Sequence, residues 1–128
     1  MNPIEEDHTM NYIFLLYGDE ANDPDPQADP EAFAAMMAPW EEYTRALTEA
    51  GVMRGGDALQ PSTTATVVTR RDGRVLHTDG PFAASKEQLG GYYLVACDNL
   101  DEALKWAAKC PAAADGRVEV RPIAEMEF

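Results

Sequence analysis

The apolar residues of this chain fall into blocks whose period changes from two to nearly four and back again. From Met10 to Tyr17 they run almost without interruption and stop at Gly18-Asp19, which predicts a buried first strand. The next stretch, Gly18 to Asp29, is acidic and proline-bearing, so it reads as a solvated loop. It closes on Asp29-Pro30-Glu31, a helix N-cap followed by proline at the first helical position. Phe33, Met36, Met37, Trp40, Tyr43 and Leu47 then recur at helical spacing and predict a core-facing helix that ends at Gly51, with a kink or break at Pro39.

Beyond the helix, Val52 to Leu59 predicts a short strand interrupted by Gly55-Gly56, and Thr63 to Arg70 predicts a firmer, β-branched one. Asp72-Gly73 is a tight-hairpin signal, so Val75 to Thr78 is expected to pair back on Thr63 to Arg70. Ser85-Lys86-Glu87-Gln88 resembles a capping box and predicts one helical turn, halted by Gly90-Gly91. Tyr92 to Cys97 is the next strand. Asn99 and Glu102 open a second helix with Leu100, Ala103, Leu104 and Ala107 expected inward, running to Pro111, and Val118 to Ile123 supplies the last strand.

This order predicts an α+β, ferredoxin-like split βαβ fold, an antiparallel sheet with two helices on one face. The strands are nevertheless apolar on both sides: Tyr12, Phe14 and Leu16 oppose Ile13, Leu15 and Tyr17, and Tyr92 and Leu94 oppose Tyr93 and Val95. Two helices cover one face only. Apolar burial is worth about 25 cal/mol per Å², so a two-fold homodimer packed sheet against sheet is expected.

Length and composition narrow the function classes. The chain has 128 residues with 45% hydrophobic, enough for one domain, expected over 10–124 between tails at 1–9 and 125–128. Its 23 acidic against 10 basic residues give a net charge of −13, which makes nucleic acid and anionic membranes poor partners. No run of 18 apolar residues occurs, and Glu5, Glu6 and Asp7 stand where a secretory signal carries positive charge, so a cytoplasmic location is expected. Cys97 and Cys110 read as reduced thiols, and with His8 and His77 they lack metal-ligand spacing. No phosphate loop or nucleophile elbow is present. No metal or cofactor is expected.

The polar candidates each carry two readings. His77 and Asp79, two apart on an extended segment, share a face and would serve as base and orienter; equally, Asp79 before Gly80-Pro81 is a turn-capping residue and His77 a solvated one. Gly80-Pro81 forms a stiff corner that sets the position of Phe82. Among the scarce cations Arg54, Lys86, Arg117 and Arg121, the last sits mid-strand opposite Val118 and Val120 in facing. It would hold an anion or pair with Glu119, Asp79 or Glu87. A ligand pocket is expected beside the Asp79–Gln88 loop, lined by Trp40, Phe82, Lys86, Tyr92, Tyr93 and Arg121.

The ordered string Asp79-Gly80-Pro81-Phe82, Gly90-Gly91-Tyr92-Tyr93, Leu100-Asp101-Glu102-Ala103 with Trp106-Ala107, and Val118-Glu119-Val120-Arg121-Pro122 resembles the DGPF type of YCII-related protein, from Met10 to Ile123. The resemblance implies a ferredoxin-like fold dimerised as an α+β barrel, a bacterial origin, an unassigned biochemical role, and association with sigma-factor systems. Some relatives are thought to use a His in the first helix and an Asp at the end of the second; Trp40 and Cys110 stand at those places here. Two classes of function follow: a cofactor-free enzyme or binder of a small polar or anionic metabolite, and a non-catalytic regulatory module acting through a protein partner.

Overall fold

The structure, a computed structural model, describes residues 9–126; His8, most of the expected N-terminal tail and the last two residues lie outside that range. Four strands form one antiparallel sheet: β1 (Met10–Gly18), β2 (Met53–Ala58), β5 (Gln88–Cys97) and β6 (Arg117–Pro122), in the spatial order β2-β5-β1-β6. With α1 (Pro30–Glu49) and α2 (Leu100–Ala108) as the crossovers, this is the ferredoxin-like arrangement. Strands β3 (Thr66–Arg71) and β4 (Arg74–Asp79) pair with each other as a separate two-stranded sheet inserted between β2 and β5. A one-turn helix, α3 (Ala112–Asp115), which the periodicity does not reveal, leads into β6.

Local chemistry explains the boundaries. Asp29 Oδ1 accepts a 3.1 Å hydrogen bond from the Ala32 amide at the start of α1, and Asn99 Oδ1 accepts one of 2.9 Å from the Glu102 amide at the start of α2. Gly51, at φ +75°, turns the chain out of α1 into β2. Helix α1 runs through Pro39 without the break that proline predicts. Ala35 and Pro39 are both exposed, so water can satisfy the carbonyl that the missing N–H leaves. The hairpin turn has Asp72 at φ 52° and Gly73 at φ 76°, the two left-handed residues that a tight hairpin with matching twist requires.

One core lies between the helices and one face of the sheet. Tyr12, Phe14 and Leu16 of β1 meet Tyr93, Val95 and Cys97 of β5, Tyr43 and Leu47 of α1, and Ala103 and Ala107 of α2. The inward stripe of α2 is therefore built differently from the expected one. Leu100 and Leu104 are exposed, and Trp106 and Cys110 take the places near the core. Small Ala103 and Ala107 let α2 approach the sheet closely. No helix among the described residues is long and apolar enough to cross a membrane.

Candidate functional site

The register of the sheet decides which candidates can meet. Residues directly opposite across a ladder share a face. Gly55, Leu94, Ile13 and Arg121 form one cross-strand row on the face away from the helices, and Asp57, Tyr92, Leu15 and Glu119 form the next. Tyr17 sits opposite Arg117 one step further along. This open face thus mixes apolar Ile13, Leu15 and Leu94 with paired polar groups. The Tyr92 hydroxyl donates to Asp57 Oδ2 at 2.7 Å, which raises the phenol's pKa, and Arg121 Nε donates to Glu119 Oε2, which holds the guanidinium in its charged form.

At the β6 end of the face lies an open groove of about 640 Å³, lined by Tyr17, Ser85, Lys86, Glu87, Arg117 and Glu119. Arg117 Nε donates to Glu87 Oε1 at 2.8 Å. The segment 85–87 borders this groove as a bend, and the predicted helical turn does not form. Its residues are committed elsewhere: the Ser85 hydroxyl donates to the Glu87 carbonyl, and Gln88 enters β5 while its Oε1 accepts from the Glu20 amide at 2.9 Å.

A second cleft, of about 910 Å³, runs between α1 and the end of α2, with Met36, Trp40, Tyr43, Trp106, Lys109 and Cys110 on its walls. Trp40 stacks on Tyr93 with ring centroids 6.4 Å apart and planes inclined by 16°. Lys109 Nζ lies 4.9 Å from the centroid of the Trp106 ring. Trp40 and Cys110, far apart in sequence, therefore share one cleft. Burial pushes the Cys110 thiol up to about 11 and also raises the Cys97 and Tyr93 groups, so neither sulfur is a thiolate near neutral pH.

The six residues expected around one pocket are consequently divided. Trp40 and Tyr93 pack on the helix side of the sheet, whereas Tyr92 and Arg121 stand on the open side, because adjacent residues of a strand face opposite ways. Lys86 lines the groove. Phe82 is 91% exposed at the foot of the hairpin, and His77 and Asp79 lie on one exposed face of β4, opposite Val68 and Thr66. The corner after Asp79 is held by the backbone: Gly80, at φ +94°, donates its amide to the Ala65 carbonyl at 2.7 Å. Arg54 donates to the Gly51 and Met53 carbonyls and closes the α1–β2 turn. The contributions of Tyr17 and Asp57 escaped the sequence reading, although strand alternation with Leu15 and Tyr92 carried the signal, whereas Glu119 does pair with Arg121 as one of the expected alternatives. Among the described residues no three His, Cys, Asp or Glu side chains come together in a way that would hold a metal ion.

The YCII-related domain matches the chain over residues 10–127. An uncharacterized protein of Rhizobium meliloti (strain 1021) is 37% identical over 117 residues, which make up 90% of this chain and 93% of that protein. With an α+β fold of the ferredoxin-like order and a match over nearly its whole length, the chain belongs to the YCII-related domain family.

Proposed function

We propose that the protein is a homodimeric binder of a small metabolite carrying a carboxylate or phosphate, held in the groove beside the 85–87 segment with the second copy covering the open sheet face. The observation that carries this reading is the meeting of Lys86 and Arg117 with Tyr17 in one groove of a chain whose net charge is −13. The chain has 10 cations against 23 acidic residues, and a groove that gathers two of them beside Tyr17 offers charge-assisted hydrogen bonds to an anion. Glu87 and Glu119 on the same walls favour a ligand that also presents donors. Apolar Ile13, Leu15 and Leu94 on the open face support the dimeric part of the reading, and a second copy there would turn an open groove into a sheltered one. His77 and Asp79 stand outside the groove, and the reading assigns them no chemical step.

The test is a thermal-shift screen of the wild-type protein against polar carboxylates and phosphates, followed by Lys86→Ala and Arg117→Ala. A ligand at 100 times its dissociation constant adds about 2.7 kcal/mol of stability, an easily read shift. Hits that survive both substitutions place the ligand elsewhere. A second reading, a regulatory module that acts through a protein partner in a sigma-factor system, is favoured by the exposure of Phe82; a protein with no hit in the screen would support it.

A further inference from the structure

The β3–β4 hairpin stands apart from the body of the protein. Among the described residues it pairs only with itself, and every residue of β4 is exposed. A lone two-stranded hairpin is marginal in water, and this one presents Val68 at 62%, Val75 at 55% and Leu76 at 47% exposure, with Phe82 just beyond its base. Such a surface calls for a cover.

Its charge says what kind. Arg70, Arg71 and Arg74 crowd the tip around Asp72, and among the described residues none of the three forms an ion pair. Three of the chain's 10 cations are thus gathered at one point of an acidic molecule. Opposite in sign is the loop leading into α1, where Asp19, Glu20, Asp23, Asp25, Asp29 and Glu31 occur without a single Lys or Arg. Burial, followed by the neighbouring Glu20, Asp115 and Asp19, raises the Asp23 carboxyl above its ordinary value, a sign of negative charge without a compensating cation.

Among the described residues the tip arginines form no ion pair with that loop of their own chain. Ser62, just before the hairpin, donates its amide to Glu20 Oε2 at 3.0 Å and its hydroxyl to Oε1, which staples the root of the arm to the acidic segment. Six-residue strands then carry the tip about 20 Å from the root. In a two-fold pair, an arm rooted beside one acidic segment can present its arginines to the other copy's segment, and the exchange is reciprocal.

We propose that the β3–β4 hairpin is a clasp arm whose arginine tip, with Val68 and Val75 on one face beside it, docks on the acidic 19–31 segment of a second copy of this chain. The proposal rests on the dimeric reading above and goes further by assigning the arm its contact.

Sedimentation velocity over a range of protein concentrations tests it by charge exchange. One variant carries Arg70→Glu, Arg71→Glu and Arg74→Glu; the other carries Asp19→Lys, Asp23→Lys, Asp25→Lys and Glu31→Lys, which leaves only Glu20 and Asp29 acidic and makes the segment net positive. Each alone should weaken the dimer at least tenfold, and an equimolar mixture should recover it, because opposite charges then face each other in the mixed pair alone. Wild-type association should also weaken by at least tenfold between low and high salt, a readout that needs no variant to fold. A wild-type protein that is monomeric throughout overturns the dimer and the clasp together. A wild-type dimer that is indifferent to salt and to both variants leaves the dimer standing and overturns the clasp, handing the arm to a different partner.

Discussion

The hydroxyl of Tyr43 donates a 2.7 Å hydrogen bond to the carbonyl oxygen of Trp106, joining the middle of α1 to the last turn of α2. The same ring meets Tyr93 edge-on at a centroid distance of 5.4 Å, so one side chain ties together both helices and the sheet. Removing only the hydroxyl isolates the tie. Tyr43→Phe should lower the unfolding free energy by about 1–2 kcal/mol in urea titrations with an unchanged slope, because an almost fully buried donor is lost while the ring remains.

Gly116 precedes β6 at a point where a side chain has no room. A Cβ there would lie 2.0 Å from the Tyr17 carbonyl oxygen and 3.1 Å from Gly18 Cα, both backbone atoms. Gly116→Ala must push β6 away from the end of β1, with a cost of about 1–3 kcal/mol by analogy with overpacked cores. Hydrogen exchange should show faster loss of protection at the β6 amides than at those of β5.

Asn99 caps α2 with its side chain on the Glu102 amide. Replacing it by alanine leaves that donor to water and should cost about 1 kcal/mol, measured as a lower urea midpoint. Asn99→Asp should retain the cap, since a carboxylate accepts the same bond.

Alkaline pH should destabilise the protein from about 9 upward. The Cys110 thiol is raised from 9.0 to about 11 by burial, and burial shifts Tyr43 and Cys97 in the same direction. Between those two values the unfolded thiol has lost its proton while the folded one retains it, so unfolding is favoured by rising pH. The contribution is complete below pH 9 and lost as the pH rises through 11. Urea midpoints should fall across that window, less steeply in Cys110→Ala, and both cysteines should resist alkylation in the folded protein near neutral pH.

Much of the sheet was legible because strand composition and turn chemistry act locally. Asp72-Gly73 announces its hairpin by needing two left-handed residues, and Asp29-Pro30 and Asn99 mark their helices through caps that involve only near neighbours. The errors came where a distant partner outvotes the local signal. Ser85 to Gln88 has the residues of a capping box, but Gln88 is claimed by β5 and by the Glu20 amide. Leu100 and Leu104 satisfy a helical stripe, yet the rotation of α2 is set by how closely Ala103 and Ala107 can approach the sheet. The candidate pocket was misdrawn for a simpler reason. Tyr92 and Tyr93 are consecutive in a strand and cannot line the same cavity, which the alternation of β5 already implied.

The strand order also bears on how the chain acquires its structure during synthesis. Tyr12 is flanked in the sheet by Val95 on one side and Pro122 on the other, so β1 remains without either neighbour until β5 has been made. Strand β2 waits for β5 as well. Among the described residues, the β pairing available from local sequence is that of β3 with β4, across a two-residue turn. The apolar β1 therefore stays unpaired while the segments up to β5 are made, and folding of the sheet must close long loops before it gains contacts. Slow refolding from denaturant and dependence on holdase chaperones are the expected consequences, and both follow from β1 lying at the centre of the sheet rather than at its edge.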